Sequence, residues 1–180
     1  MAKVILKNLN KVFTSKIGKD VKAVNDFNLL LEDGEILALL GSSGCGKTTT
    51  LRMIAGFETA SSGQIKIGER EVNNLKPADR NVAMAFEGYA LYPPLTVRDN
   101  IAFSLMREKI SKEKVDSKVV EVSELLEITE ILERYPPSIS GGQQQRVSLA
   151  RALVRDSDAL LLDEPMSQLE PQLRAVLRAR

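Results

Sequence analysis

At 180 residues, 43% hydrophobic and 27% charged, the chain is long enough for one sizeable core, or for a core carrying an inserted subdomain. Its 25 Lys and Arg against 24 Asp and Glu leave a net charge of +1, which gives no electrostatic ground for binding nucleic acid or an anionic membrane. One cysteine excludes an internal disulfide and a Cys-rich zinc site, and no apolar run approaches the length of a membrane span. Met1 to Lys7 lacks the long apolar segment of a secretory signal, so a cytosolic location is expected.

Residues 3–12 and 21–31 alternate or run apolar and read as strands, and Asp33-Gly34 is a turn signal after the second. Ile36-Leu37-Ala38-Leu39-Leu40 is an unbroken apolar run, the pattern of a parallel strand buried on both faces. It leads into Gly41-Ser42-Ser43-Gly44-Cys45-Gly46-Lys47-Thr48, which fits the phosphate-cradling pattern G-x-x-x-x-G-K-[ST]. Thr49 to Ala55 then reads as a helix stopped near Gly56. The residue types follow from the chemistry. Glycines let the backbone turn tightly so that several N–H groups face one anion, and the helix adds its positive end. Lys47 supplies a mobile charge for the outer phosphates, and Thr48 a hydroxyl for Mg²⁺. The candidate binding set is Gly41, Ser42, Ser43, Gly44, Cys45, Gly46, Lys47, Thr48 and Thr49, with Cys45 read as a small residue filling a tight loop. By itself the motif indicates a nucleoside triphosphate and no particular reaction.

Gln64 to Ile67 and Asn81 to Phe86 read as further strands, with a turn at Pro77-Ala78-Asp79 between them. Thr96-Val97-Arg98-Asp99 reads as a helix start with Thr96 as cap. Val115, Val119, Val122 and Leu126 recur at helical spacing and read as core, in a helical stretch expected to end at Pro136-Pro137. Val147, Ala150 and Leu153 fall on one face of another helix, and Ala159 to Leu162 returns to a buried strand. The order predicts an α/β core interrupted by a helical insert of roughly 50 residues.

Two further clusters carry chemistry. Ala159 to Leu162 runs into Asp163 and Glu164, a strand ending in two carboxylates, which alone also fits an exposed acidic turn. Beside a phosphate loop, Asp163 is expected to hold Mg²⁺ through water, and Glu164 to polarise an attacking water as general base. Ser140-Gly141-Gly142-Gln143 opens a helix with Ser140 as cap, and its bare N–H groups make a second anion site. Gln143-Gln144-Gln145-Arg146 adds polar donors beyond what a cap needs.

Ile139-Ser140-Gly141-Gly142-Gln143 resembles the LSGGQ signature of ABC transporter ATPases, in the order expected after a phosphate loop and before a carboxylate-ended strand. Ser43 to Gly56 and Tyr89-Ala90-Leu91-Tyr92-Pro93 resemble the importer branch, nearest the maltose and glycerol-phosphate type of sugar-uptake subfamily. The resemblance covers nearly the whole chain. It implies a P-loop NTPase (RecA-like) α/β core with an N-terminal antiparallel β subdomain and an inserted helical subdomain. Residues 1–180 then form one domain, with the core and β subdomain in 1–87 and 156–180, and the helical subdomain with the signature helix in 88–155.

It further implies ATP and Mg²⁺ as cofactors and a second such subunit bound head to tail. Lys47 and the catalytic Glu164 act on the chain's own ATP, while Ser140, Gly141, Gly142 and Gln143 serve the partner's. The resemblance also implies transmembrane permease subunits, contacted through Glu87 to Leu95, and a peripheral place on the cytoplasmic face of the plasma membrane, although the apolar and proline content of Tyr89 to Leu95 fits a packed loop equally. Phe13 falls where the family stacks an aromatic on adenine, although an aromatic in a half-buried strand fits its sequence context equally. Nucleic acid is not an expected partner.

Three departures from the family pattern stand out. Glu87 occupies the position of a Gln that contacts metal and attacking water, and its extra negative charge beside triphosphate and Asp163 predicts weaker ATP affinity or impaired coupling. Glu170 replaces an Asp, a change that fits harmless drift as well as a displaced carboxylate. The family's switch His lies beyond the next strand and the chain has no His, so a chain cut short after Arg180 is expected. The alternative reading is a nucleotide-binding module impaired in hydrolysis, either a fragment or a regulatory one. A soluble ABC ATPase of translation or DNA repair is disfavoured by the near-neutral charge and by the Tyr89 to Pro93 segment.

Overall fold

The computed structural model describes residues 1–14, 18–86, 90–106 and 110–163. Strands β1 (Val4–Phe13) and β2 (Val21–Leu31) pair antiparallel, with Val4 opposite Leu31, Leu6 opposite Leu29 and Phe13 opposite Val21. β3 (Ser62–Ile67) lies on the other side of β1, with Leu6 opposite Ile65, and β4 (Arg70–Glu71) completes the order β2-β1-β3-β4. Strict alternation from Val4 and Leu6 would bring Asn8 inward, yet Leu9 is the next buried residue. The register shifts between Leu6 and Leu9, and Asn8 (φ 48°) and Asp26 (φ 47°) adopt left-handed backbone at the irregularity. Side chains satisfy the freed groups: Asn8 N–H donates to Asn28 Oδ1 at 2.8 Å, and Asp26 N–H to Asn10 Oδ1 at 2.9 Å. The bulge lets Val4, Leu6 and Leu9 share one core with Ile65 and Ile67.

Helix α1 (Lys47–Ala55) ends at Gly56, in left-handed conformation. Arg80, 3% exposed, donates from its guanidinium to Met53 O at 2.7 Å, which Gly56 N–H also reaches, and to Ile54 O at 3.0 Å, capping the last turn of the helix. A separate two-stranded sheet pairs β5 (Val82–Ala85) with β6 (Ala159–Leu162). Between these two strands lie α2 (Val97–Phe103), α3 (Lys112–Leu125) and α4 (Gly141–Leu153). They bury Val97, Ile101, Val119, Val122, Leu126, Val147 and Ala150 in one apolar cluster. Contacts gather the described residues into two units, one within 1–83 and 157–161, the other within 84–156 and 162–163.

Two expectations fail. Ile36 to Leu40 is not a strand: Ile36 is 99% and Leu40 91% exposed. An apolar run becomes an interior strand only when ladders on both sides take its N–H and C=O groups, and among the described residues none pairs with 36–40. The helical stretch also ends at Leu125, well before Pro136-Pro137. Those prolines instead open a short 3₁₀ turn, Pro136–Ser138. Glu127 takes φ 54° just past the helix end, and the chain continues through a second 3₁₀ turn, Thr129–Ile131.

Candidate functional site

Gly46 caps α1 from left-handed backbone, φ 98°, and packs so closely on β2 that a Cβ there would lie 2.3 Å from Ala23 O. That approach ties the start of α1 to the antiparallel sheet. Thr50 reinforces it, since its N–H and its hydroxyl both donate to Gly46 O, at 2.8 and 2.9 Å. Gly41, Ser42, Ser43, Gly44 and Cys45 are exposed ahead of the helix, and Lys47, Thr48 and Thr49 are half-buried in its first turn. Lys47 Nζ donates to Gly41 O at 2.9 Å and to Ser42 O at 3.0 Å, so the loop curls around the ammonium. The first turn of α1 carries no acidic residue. Exposed loop residues, a cation and a helix start without an acidic residue therefore share one bend, a suitable seat for a polyphosphate.

In the same unit, Phe13 ends β1 and is 40% exposed. The second unit holds Asp163 and the Ser140 helix start. Asp163 follows β6 directly, is 5% exposed, and donates its N–H to Ala85 O at 3.0 Å, an extension of the β5–β6 pairing. Glu87, Glu164 and Glu170 lie outside the described residues. No group of three or more His, Cys, Asp or Glu side chains able to hold a metal occurs among the described residues.

Ser140 and Gln143 form a reciprocal capping box: Gln143 N–H donates to Ser140 Oγ at 3.3 Å, and Ser140 N–H to Gln143 Oε1 at 2.9 Å. Gly141 is exposed and Gly142 half-buried at the head of α4. The following polar residues are not the outward donors expected of them. Gln144 Nε2 donates to Pro136 O and Ile139 O, Gln145 is buried, and Arg146 donates to Leu126 O and Glu127 O. Gln144 and Arg146 thereby fasten α4 to the chain that precedes it.

Sequence reasoning missed Asn100. It is fully buried on α2, and its Nδ2 donates to Tyr92 O, Leu95 O and Thr96 O while its Oδ1 accepts from Tyr92 N–H. It thereby shapes residues 92–96, which overlap the Glu87 to Leu95 segment expected to face a membrane partner. Arg151 acts on the same segment, donating to Ala90 O at 2.5 Å with its guanidinium 4.7 Å from the Tyr92 ring centroid. Burial lowers the pKa of Arg151 from its usual value, an effect partly offset by Tyr92. The missed signal was a lone amide inside an apolar stripe, Val97-x-x-Asn100-Ile101.

A family model described as ABC transporter matches residues 24–167. The sn-glycerol-3-phosphate import ATP-binding protein UgpC 3 of Agrobacterium fabrum is 48% identical over 178 residues, covering 99% of this chain and 49% of its own length. The trehalose import ATP-binding protein SugC of Mycobacterium tuberculosis is 48% identical over 99% of this chain and 44% of its own length. For the trehalose/maltose import ATP-binding protein MalK of Thermococcus litoralis the values are 50%, 99% and 48%. The chain spans about half the length of the curated relatives it matches. Among solved structures, the dimeric post-hydrolysis state of the ATP-binding cassette MJ0796, bound to ADP and Pi, superposes with a TM-score of 0.86. It is 28% identical and covers 94% of this chain and 77% of its own. The α/β fold is thus that of the ATP-binding cassettes, and the N-terminal antiparallel sheet is present as expected.

Proposed function

The chain belongs to the ABC transporter family, and from that membership we propose that it binds and hydrolyses ATP as the ATP-binding part of a solute importer. The names of its curated relatives favour a sugar or a glycerol phosphate as the solute class. One observation carries the reading: Lys47 stands in the first turn of α1 inside an exposed glycine-rich bend, with no carboxylate in that turn to oppose an anion.

In this reading Gly41 to Thr49 hold the phosphates, and Lys47 exchanges its two loop carbonyls for phosphate oxygens. Thr48 would hold Mg²⁺ by its hydroxyl and Asp163 through water. A hydroxyl and a carboxylate are hard oxygen donors, and an ion that keeps several waters needs few protein ligands. The bound ion would neutralise charge developing on the phosphate oxygens. Glu164 takes a proton from the attacking water, and Phe13 lies against the base. Ser140, Gly141, Gly142 and Gln143 face the triphosphate of a second, head-to-tail subunit. The Ser140–Gln143 box supports this role, because it fixes the start of α4 while leaving Gly141 exposed. No helix among the described residues is long and apolar enough to cross a membrane. The importer ATP-binding names of its relatives support attachment to the cytoplasmic face through permease subunits, proposed to run over the Glu87 to Leu95 segment.

A second reading, a module that holds ATP without turning it over, is favoured by Glu87, whose carboxylate would stand beside triphosphate and Asp163. Phosphate release under saturating Mg-ATP separates the two. Glu164→Gln is expected to lower turnover by about 100-fold or more with ATP binding retained. Glu87→Gln is expected to raise turnover, and no change or a fall would count against an inhibitory role for that carboxylate.

A further inference from the structure

Lys11 and Phe13, two apart on β1, point to the same side of the strand, and Lys11 Nζ lies over the Phe13 ring, 4.8 Å from its centroid. The ammonium is tethered there. It donates to Glu58 Oε1 at 2.6 Å and to Thr59 O at 2.7 Å, and the Lys11 side chain is only 12% exposed. The hydrogen bond from Lys11 holds the Glu58 carboxyl below the usual glutamate range, so Glu58 is ionised at neutral pH.

The tether leads back to the phosphate-loop helix. Phe57 and Glu58 N–H groups both donate to Arg52 O, in the last turn of α1, at 2.9 and 3.2 Å. Two further contacts fasten the same segment to the end of β1. Ser61 N–H donates to Asn10 O at 2.9 Å, and Val12 N–H to Ser61 Oγ at 2.9 Å. The end of α1 and the ring of Phe13 are therefore linked through Glu58 and Lys11 as well as through the sheet.

We propose that Lys11 is a positioning residue for the nucleotide base: held by Glu58 and Thr59, it covers one face of Phe13 and leaves the other for a stacked purine. This rests on the reading of Phe13 as the base platform. A cation over one face draws π density toward itself, which leaves the opposite face better suited to an electron-rich ring. The tether also restricts rotation of the phenyl ring before nucleotide arrives, so less freedom is lost on binding.

The test compares ATP with inorganic tripolyphosphate, each with Mg²⁺, because the second ligand has no base. Phe13→Ala and Lys11→Met are each expected to weaken ATP binding on the order of 3- to 10-fold and to leave tripolyphosphate binding unchanged. Lys11→Arg is expected to restore ATP affinity, and the double variant to bind ATP no more weakly than Phe13→Ala alone. If Phe13→Ala leaves ATP affinity intact, the platform reading fails and the role of Lys11 falls with it. If Phe13→Ala weakens ATP binding and Lys11→Met does not, the platform stands and the role of Lys11 is overturned. Equal losses for both ligands in Lys11→Met would make Lys11 a fold-stabilising residue only, which also overturns the proposal.

Discussion

Replacing Lys47 with alanine is expected to weaken Mg-ATP binding by about 100-fold or more while leaving the melting temperature nearly unchanged. In the structure Nζ bonds Gly41 O and Ser42 O, and the side chain is only half-buried. Water replaces those two bonds at little cost in the variant, because the neighbouring loop is exposed. Nucleotide is a different matter. Each charge-assisted bond from the ammonium to a phosphate oxygen is worth roughly 1.5–3 kcal/mol, and two of them amount to a factor of 100 or more in affinity. Lys47→Arg is not expected to rescue, because a planar fork cannot occupy the turn that a compact ammonium fills. Calorimetric titration beside a thermal melt checks both halves of the expectation.

Asn100→Ala is expected to lower unfolding stability by about 2–4 kcal/mol, a large share of the total for a domain of this size. The amide is fully buried, and its loss strands Tyr92 N–H and Leu95 O, while Tyr92 O and Thr96 O are left with main-chain donors alone, from Leu95 N–H and Asn100 N–H. Asn100→Asp is expected to be no better. It keeps the acceptor for Tyr92 N–H but sets a carboxylate against three carbonyl oxygens where an NH₂ stood. Denaturant titration measures the loss, and faster proteolytic nicking within residues 90–96 would locate it. A change under about 0.5 kcal/mol would mean that Asn100 does not hold this segment.

Much of the candidate site was legible because it is local in sequence. The bend from Gly41 to Thr48, the Thr96 cap and the Ser140 cap each depend on residues within a few positions of one another. Backbone geometry there is fixed by the residue types themselves. Part of what was not legible depends on distant partners. Ile36 to Leu40 reads as a buried strand on its own, but a strand exists only with neighbours. Asn8 looked like an ordinary strand residue, because the bulge it creates is completed by Asp26 and Asn28 on β2. Arg80 looks unremarkable in sequence, since the carbonyls of Met53 and Ile54 are brought to it by folding. Asn100 bonds within eight residues, but in an irregular loop whose shape no residue pattern announces. Gln144 and Arg146 turn to main-chain carbonyls that precede α4, which the bare run of polar residues does not announce.

The phosphate seat is the claim from which the other roles follow, and Cys45 reports on it directly. It is the single cysteine of the chain, it is free and exposed, and it sits within the bend. The measurement is its alkylation rate with a small maleimide, with and without saturating Mg-ATP, followed by nucleotide binding to the labelled chain. Bound ATP is predicted to protect the thiol, and the labelled chain to lose nucleotide binding. Equal labelling rates with and without ATP, together with undiminished binding after labelling, would place the phosphates elsewhere and contradict the account.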